Sequence, residues 1–199
     1  MIVIGLTGTK SSGKGEIANY LGIKYNFKYY SLSDIVREEA KVRGLENYTV
    51  KDLQNIGNEL REKYGSGILA IKIREMFLKS NYSRYIVDGI RNPGEIDELI
   101  KINQGEDKFY LISVDAPREK RFEWIIKRAR SSDPKTYKDF LAVDARDLGN
   151  EEYKTGQQVA LCMKRADFII KNDSTIEELH NKIDEIMKYL NIEMDIENH

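Results

Sequence analysis

Cysteine, histidine and proline are nearly absent from this sequence. Its 199 residues include one cysteine, two histidines and three prolines. A single thiol, Cys162, cannot form an internal disulfide, and its apolar setting Val159-Ala160-Leu161-Cys162-Met163 predicts a buried side chain. Such scarcity fits a reducing compartment, so the expected location is cytoplasmic. His180 and His199 offer no metal-ligand spacing, which argues against a zinc site. No run of about 18 apolar residues is available to span a membrane. The sequence opens directly on a strand pattern, so no signal peptide is expected. Neither sign of charge dominates: 32 Lys and Arg face 33 Asp and Glu, for a net charge of −1. That balance, with no continuous basic and aromatic stripe, argues against nucleic acid as a partner. There is no repeat and no low-complexity linker. The length suits one domain over residues 1–199 with a small lid or insertion.

What is present begins at the first residues. The apolar run Ile2-Val3-Ile4-Gly5-Leu6 leads into Gly8-Thr9-Lys10-Ser11-Ser12-Gly13-Lys14-Gly15 and then a helical pattern from Ile17. Strand, glycine-rich turn and helix with the spacing G-x-x-x-x-G-K make a phosphate-binding loop of the nucleoside triphosphatase type. Backbone N–H groups must curl around phosphate oxygens, which requires side chains to be absent at the two glycines. The helix N-terminus adds partial positive charge, and Lys14 reaches toward the β and γ phosphates. Residues Gly8 to Glu16, Thr9, Lys10, Ser11, Ser12, Gly13, Lys14 and Gly15 included, are the expected ATP-binding segment. One position departs from the common pattern: Gly15 stands where Ser or Thr usually ligates Mg²⁺. Glu16 follows. Its carboxylate is expected to face solvent in the first helical turn, where acids suit the dipole; contact with Mg²⁺ through water is the alternative.

Farther along, short apolar runs alternate with helical patterns, as in a parallel sheet covered by helices. The runs are Ile2–Thr7, a weak one at Tyr29–Ser31, Tyr85–Asp88, Phe109–Asp115 and Asp167–Lys171. Tyr85-Ile86-Val87 and Phe168-Ile169-Ile170 read as buried strands. Ser33 is expected to cap a helix from Asp34 to about Arg43, and Thr49-Val50-Lys51-Asp52 resembles a capping box opening a helix to about Tyr64. A further helix is expected over Ile68–Leu78. Pro93 and Pro117 fit first turns. Thr175 starts a last helix with Ile176, Leu179, Ile183, Ile186, Met187 and Leu190 on a core-facing stripe. The tail from Glu193 to His199 is expected to fray.

Phosphoryl transfer needs clamped phosphates and neutralised charge, and arginine supplies both through its planar fork. In open α/β sheets the ligand crevice lies at strand C-terminal ends. Arg91 follows the run ending at Asp88, and Asp88 itself sits where an acid can hold Mg²⁺, directly or through water. Arg37 lies just beyond Ser33-Asp34, after the second strand. Arg121, Arg128 and Arg130 follow the fourth strand. The charged stretch 128–150 lies between the fourth and fifth strands and is expected to act as a lid.

These residues carry a resemblance. Gly8–Gly15, Ser31-Leu32-Ser33-Asp34-Ile35-Val36-Arg37 and Asp88-Gly89-Ile90-Arg91 are similar, in order and approximate spacing, to segments of adenylate kinases. The second half, with Val114-Asp115-Ala116-Pro117, Gln157 and Ala166–Asp173, looks more like dephospho-CoA kinase. The whole chain also resembles the P-loop domain fused to some deoxycytidylate deaminases, without the deaminase motif. The resemblance implies a nucleoside monophosphate kinase-type fold: three layers, α/β, with a five-stranded parallel sheet of order 2-3-1-4-5 and a small helical lid. It implies ATP as co-substrate, Mg²⁺ as cofactor and a nucleotide-like small-molecule acceptor. Residues 34–80 would form a helical acceptor-binding region, with Ser33, Asp34, Arg37 and Arg91 at the acceptor phosphate. Lys14, Asp88, Arg128 and Arg130 would be catalytic. The expected reaction is ATP-dependent phosphoryl transfer to a nucleoside or deoxynucleoside monophosphate. Dephospho-CoA kinase activity, or a nucleotide-sensing module without useful turnover, is the alternative.

Overall fold

A computed structural model describes residues 1–149 and 152–194. Five parallel strands form one sheet in the order β2-β3-β1-β4-β5. They are β1 (Ile2–Gly8), β2 (Lys28–Ser31), β3 (Arg84–Ile90), β4 (Lys108–Asp115) and β5 (Phe168–Lys171). β1 lies at the centre, in register with β3 through Val3 and Tyr85 and with β4 through Val3 and Phe109. Its residues are buried because both faces are covered, so it reads as a continuous apolar run.

Two apolar cores sandwich the sheet. On one face α1 (Lys14–Tyr25) and α9 (Ile176–Tyr189) pack Ile17, Leu21, Leu179, Ile183 and Met187 against Ile4, Leu6 and Ile112. On the other, α2 (Leu32–Val42), α3 (Val50–Tyr64), α4 (Ile68–Phe77) and α5 (Pro93–Ile100) bury Val36, Leu60, Leu69, Ile73 and Leu99 against Val3, Val87 and Leu111. Between β4 and β5 run α6 (Arg118–Arg128), α7 (Tyr137–Leu148) and the short α8 (Val159–Lys164). Cys162 is buried on α8, and desolvation pushes its thiol far above the ordinary range.

Local chemistry sets most element ends. Thr49 and Asp52 form the reciprocal capping box that opens α3. Thr175 caps α9 by accepting from the Glu178 amide. Four local expectations are corrected. Ser31, not Ser33, caps α2: its hydroxyl accepts from Ser33 N, so the helix starts earlier, at Leu32. Pro117 occupies the cap of α6 in extended backbone rather than its first turn. Ile169 is exposed, because β5 is an edge strand whose pleat turns alternate side chains outward. Ile176 is exposed at the start of α9, beyond the reach of the core. Of the tail expected to fray, residues 195–199 lie outside the described residues, as does Asn150 at the end of the 128–150 segment.

Candidate functional site

The C-terminal ends of the strands converge on one crevice of about 1540 Å³. Its floor is the loop between β1 and α1. Gly13 takes φ +104, and a Cβ there would strike the Asn172 amide, so only glycine closes the turn. Asn172, just past β5, donates to the Ser12 carbonyl at 2.9 Å and braces the loop from the far side. Thr9 donates to Asp115 Oδ1 at the end of β4, at 2.7 Å.

The two loop lysines point differently. Lys14 Nζ folds back onto the carbonyls of Gly8 (2.9 Å) and Thr9 (2.7 Å). Burial depresses its pKa to about 8. Lys10 Nζ lies 3.9 Å from Asp133 Oδ1, with its side chain 11 % exposed. Burial again depresses the pKa to about 8, against the opposing Asp147 and Asp133 charges and with the Arg91 and Arg128 charges adding to the effect.

Asp88 lies near the end of β3, just before a bulge. The register with β1 slips there by one residue, and Gly89 absorbs the extra length at φ +84. One carboxylate oxygen accepts from Tyr29 Oη at 3.1 Å. The other, Oδ1, is buried with no hydrogen-bond partner. Desolvation and the Asp88 charge push the Tyr29 phenol up to about 12, so it remains a donor. A buried carboxylate oxygen without a partner is costly unless a ligand, ion or water completes it. Among the described residues no group of three or more acids, histidines or cysteines could hold a metal alone. The donor set therefore fits Mg²⁺ arriving on phosphates and meeting one carboxylate, which is how that ion usually binds.

Around the rim stand four arginines. Arg37 pairs with Asp34. Arg91 Nη1 donates to Asp147 Oδ1 (3.2 Å) and Gln157 Oε1 (3.4 Å). Its backbone is held by the buried Glu95, which accepts from Arg91 N at 2.7 Å while pairing with the buried Arg61. Arg128 forms a two-bond fork on Asp133, at 2.7 and 2.8 Å. That fork, together with Lys10, holds Asp133 below the ordinary carboxylate range against the opposing effect of burial. Arg130 is exposed and has no carboxylate partner among the described residues. Ser33 and Asp34 also line the crevice. The structure thus brings all the expected site residues to one opening, except that Gly8 and Thr9 lie beneath the lining.

Glu16 does not simply face solvent. Its Oε1 lies 2.8 Å from His180 Nε2 on α9, and the His180 ring stacks on Tyr20 at 3.8 Å. Arg121 does not reach the crevice. It is buried, forked onto Asp144 of α7, and donates to the carbonyls of Ala116 and Lys10. Residues 128–149 lie packed rather than extended, with Phe140 buried among Phe122 and Tyr137.

Several lining residues escaped the sequence reading: Tyr29, Asn47, Tyr48, Trp124, Thr175 and Ile176. Asn172, which also lines the crevice, carried a usable signal, since it directly follows β5. Trp124 and Tyr48 carried none, because their helix and loop positions gain meaning only once the elements are docked.

Comparison with known proteins agrees with this architecture. Residues 7–140 match the family model described as AAA domain. The UPF0200 protein of Pyrococcus abyssi is 33 % identical over 189 residues, covering 94 % of this chain and 96 % of that one. That of Methanocaldococcus jannaschii is 34 % identical over 191 residues, covering 94 % and 90 %. The chain belongs to the UPF0200 family. Among solved structures, TT1252 from Thermus thermophilus is similar with a TM-score of 0.59 and 17 % identity, covering 95 % of this chain and 97 % of that one. A shikimate kinase from Bacteroides thetaiotaomicron gives 0.55 at 12 % identity, covering 96 % and 98 %. These likenesses identify the P-loop kinase fold in this UPF0200 protein. Among the described residues no helix is long and apolar enough to cross a membrane.

Proposed function

We propose that this protein transfers the γ-phosphoryl group of ATP to a nucleoside or deoxynucleoside monophosphate. One observation carries the reading: a P-loop and a row of arginines face each other across a crevice that also contains the unpartnered Asp88 Oδ1. At about 1540 Å³ the opening exceeds what a single small ligand fills, which leaves room for donor and acceptor together.

Each residue has a role in this reading. The amides of the loop from Gly8 to Glu16 would cradle the donor phosphates, and Lys14 would leave its two carbonyls to meet them. Asp88, oriented by Tyr29, would hold Mg²⁺ through a bound water. Bound there with the nucleotide, Mg²⁺ would offset charge on the β and γ phosphates. Ser33, Asp34, Arg37 and Arg91 would receive the acceptor phosphate, so Arg37 and Arg91 exchange their carboxylate partners for it. Arg128 and Arg130, on the 128–150 segment, would close over the transferring group and exclude water. The pairing of Glu16 with His180 supports turnover over pure sensing, since the carboxylate is engaged away from the phosphates.

The test is a turnover screen. ATP and Mg²⁺ are incubated with each nucleoside and deoxynucleoside monophosphate and with dephospho-CoA, and acceptor-dependent ADP release is measured. A rate on the order of 1–100 s⁻¹ with one monophosphate is expected. Activity confined to dephospho-CoA would replace the acceptor assignment. Binding of ATP without ADP release for any acceptor would overturn the kinase reading.

A further inference from the structure

The loop carries two lysines, and phosphate cradling accounts for only one of them. Lys14 has hydrogen-bond partners within the loop. Lys10 has none among the described residues: Asp133, its nearest carboxylate, is 3.9 Å away, beyond hydrogen-bond reach. Asp133 does not depend on Lys10, because the Arg128 fork already satisfies both its oxygens. A desolvated ammonium without a hydrogen-bonded partner is costly, and an arriving anion relieves that cost.

Its placement indicates which anion. Lys10 lines the main crevice and also a smaller pocket of about 60 Å³ that holds Arg37, Arg91, Arg128 and Arg130. The side chain thus stands between the donor loop and the arginines of the acceptor side. Its backbone is fixed there. The Lys10 carbonyl accepts from Arg121 Nη1 at 3.2 Å, and Arg121 is itself clamped by Asp144. The backbone from which the ammonium extends is therefore anchored by a buried support that does not involve the ligand.

We propose that Lys10 is a further catalytic residue, contacting the phosphoryl group while it passes between donor and acceptor. This rests on the phosphoryl-transfer reading above. In the step, the bond from the γ phosphorus to the bridging oxygen breaks and its electron pair stays on the β phosphate of ADP. An acceptor phosphate oxygen forms the new P–O bond. Lys10 donates hydrogen bonds to the equatorial oxygens and transfers no proton. It supplies from within the loop the charge that other phosphoryl-transfer enzymes take from an arginine finger. Its depressed pKa supports the placement, since an anion would draw the proton back onto the amine.

Lys10→Met and Lys10→Arg test this by two readouts, after thermal melting establishes that both variants fold. ADP affinity should stay within about threefold of wild type, because ADP lacks the phosphoryl group that Lys10 contacts. Lys10→Met should lower kcat on the order of 100-fold or more, with partial rescue in Lys10→Arg. A kcat within about threefold of wild type in Lys10→Met would overturn the assignment. Affinity for ADP with fluoroaluminate, a mimic of the phosphoryl in transit, separates the two readings. If wild type turns over no acceptor yet binds this complex, a loss on the order of 30-fold in Lys10→Met keeps Lys10 at the phosphoryl position while the acceptor reading falls. Equal affinity in wild type and variant overturns the role of Lys10. Wild type with neither turnover nor fluoroaluminate binding overturns both.

Discussion

Glu16 Oε1 and His180 Nε2 lie 2.8 Å apart, joining the first turn of α1 to α9 beside the phosphate loop. Tyr20 supports the pair from below by stacking on the imidazole, and its hydroxyl is anchored on Asp184. His180 thereby holds a carboxylate to one side of a site built for anions. His180→Ala should free Glu16 to turn toward the phosphates. Two unit charges about 5 Å apart at an effective dielectric near 20 repel by roughly 3 kcal/mol before relaxation. Calorimetry should show weaker Mg²⁺–ADP binding in His180→Ala, restored in His180→Ala with Glu16→Gln. Unchanged affinity in the single variant would show that the pair does not steer the carboxylate.

Lys14→Ala should weaken ATP binding by about 2 kcal/mol or more, roughly 30-fold, through loss of a charge-assisted contact. A folded variant with wild-type affinity would remove the phosphate loop from the account.

Protonation should accompany nucleotide binding. Lys10 and Lys14 both carry pKa values lowered to about 8, against 10.5 in the unfolded chain. Between those values the unfolded state binds more protons, so these lysines make stability rise as pH climbs from about 8 toward 10.5. At lower pH both states are protonated and the full cost of burying charge is present. Bound phosphates should raise both pKa values, so ATP binding near pH 8.5 should take up protons. Calorimetry in buffers of different ionisation enthalpy measures this. No net uptake would mean that phosphates do not approach the lysines.

Arg128 and Arg130 should separate, although the sequence treats them alike. Arg130→Ala removes a side chain without a carboxylate partner, so it should leave the melting temperature unchanged while lowering kcat on the order of 100-fold. Arg128→Ala also strands the buried Asp133, with a stability loss of about 1–3 kcal/mol. Equal melting temperatures for the two variants would contradict this.

Gly15 has open space where a Cβ would stand, with nothing within 4 Å. Gly15→Ser should fold, gain a few tenths of a kcal/mol in helix propensity, and tighten Mg²⁺-dependent nucleotide binding. Metal titration of the nucleotide complex reads the last effect. Weaker Mg²⁺ dependence would place the ion elsewhere.

The strand-loop-helix from Ile2 to Leu21 was legible because three local signals agree there: an apolar run, glycine spacing and a helical period. Arg37, Arg91 and Asp88 were legible by position, since strand ends define the crevice. Their partners were not. Asp147 lies 56 residues from Arg91, and Asp144 lies 23 from Arg121. Nothing in a local window distinguishes an arginine meant for a ligand from one locked to a distant carboxylate. His180 was weighed in the sequence only for metal-ligand spacing, because its partner, Glu16, is 164 residues away. Ile169 was misread because an edge strand and a central strand can share one apolar pattern until the sheet order is known.

The carboxylate partners of Arg37, Arg91 and Arg128 have a consequence for selectivity. At rest these guanidiniums are already answered from within the chain, so a lone chloride or inorganic phosphate gains little by displacing an internal rival. A ligand bearing several phosphates gains at each exchange. In the phosphoryl-transfer reading proposed above, the rim would act as a threshold, leaving the crevice open in a salt-filled medium and exchanging its partners only for a guest of high charge.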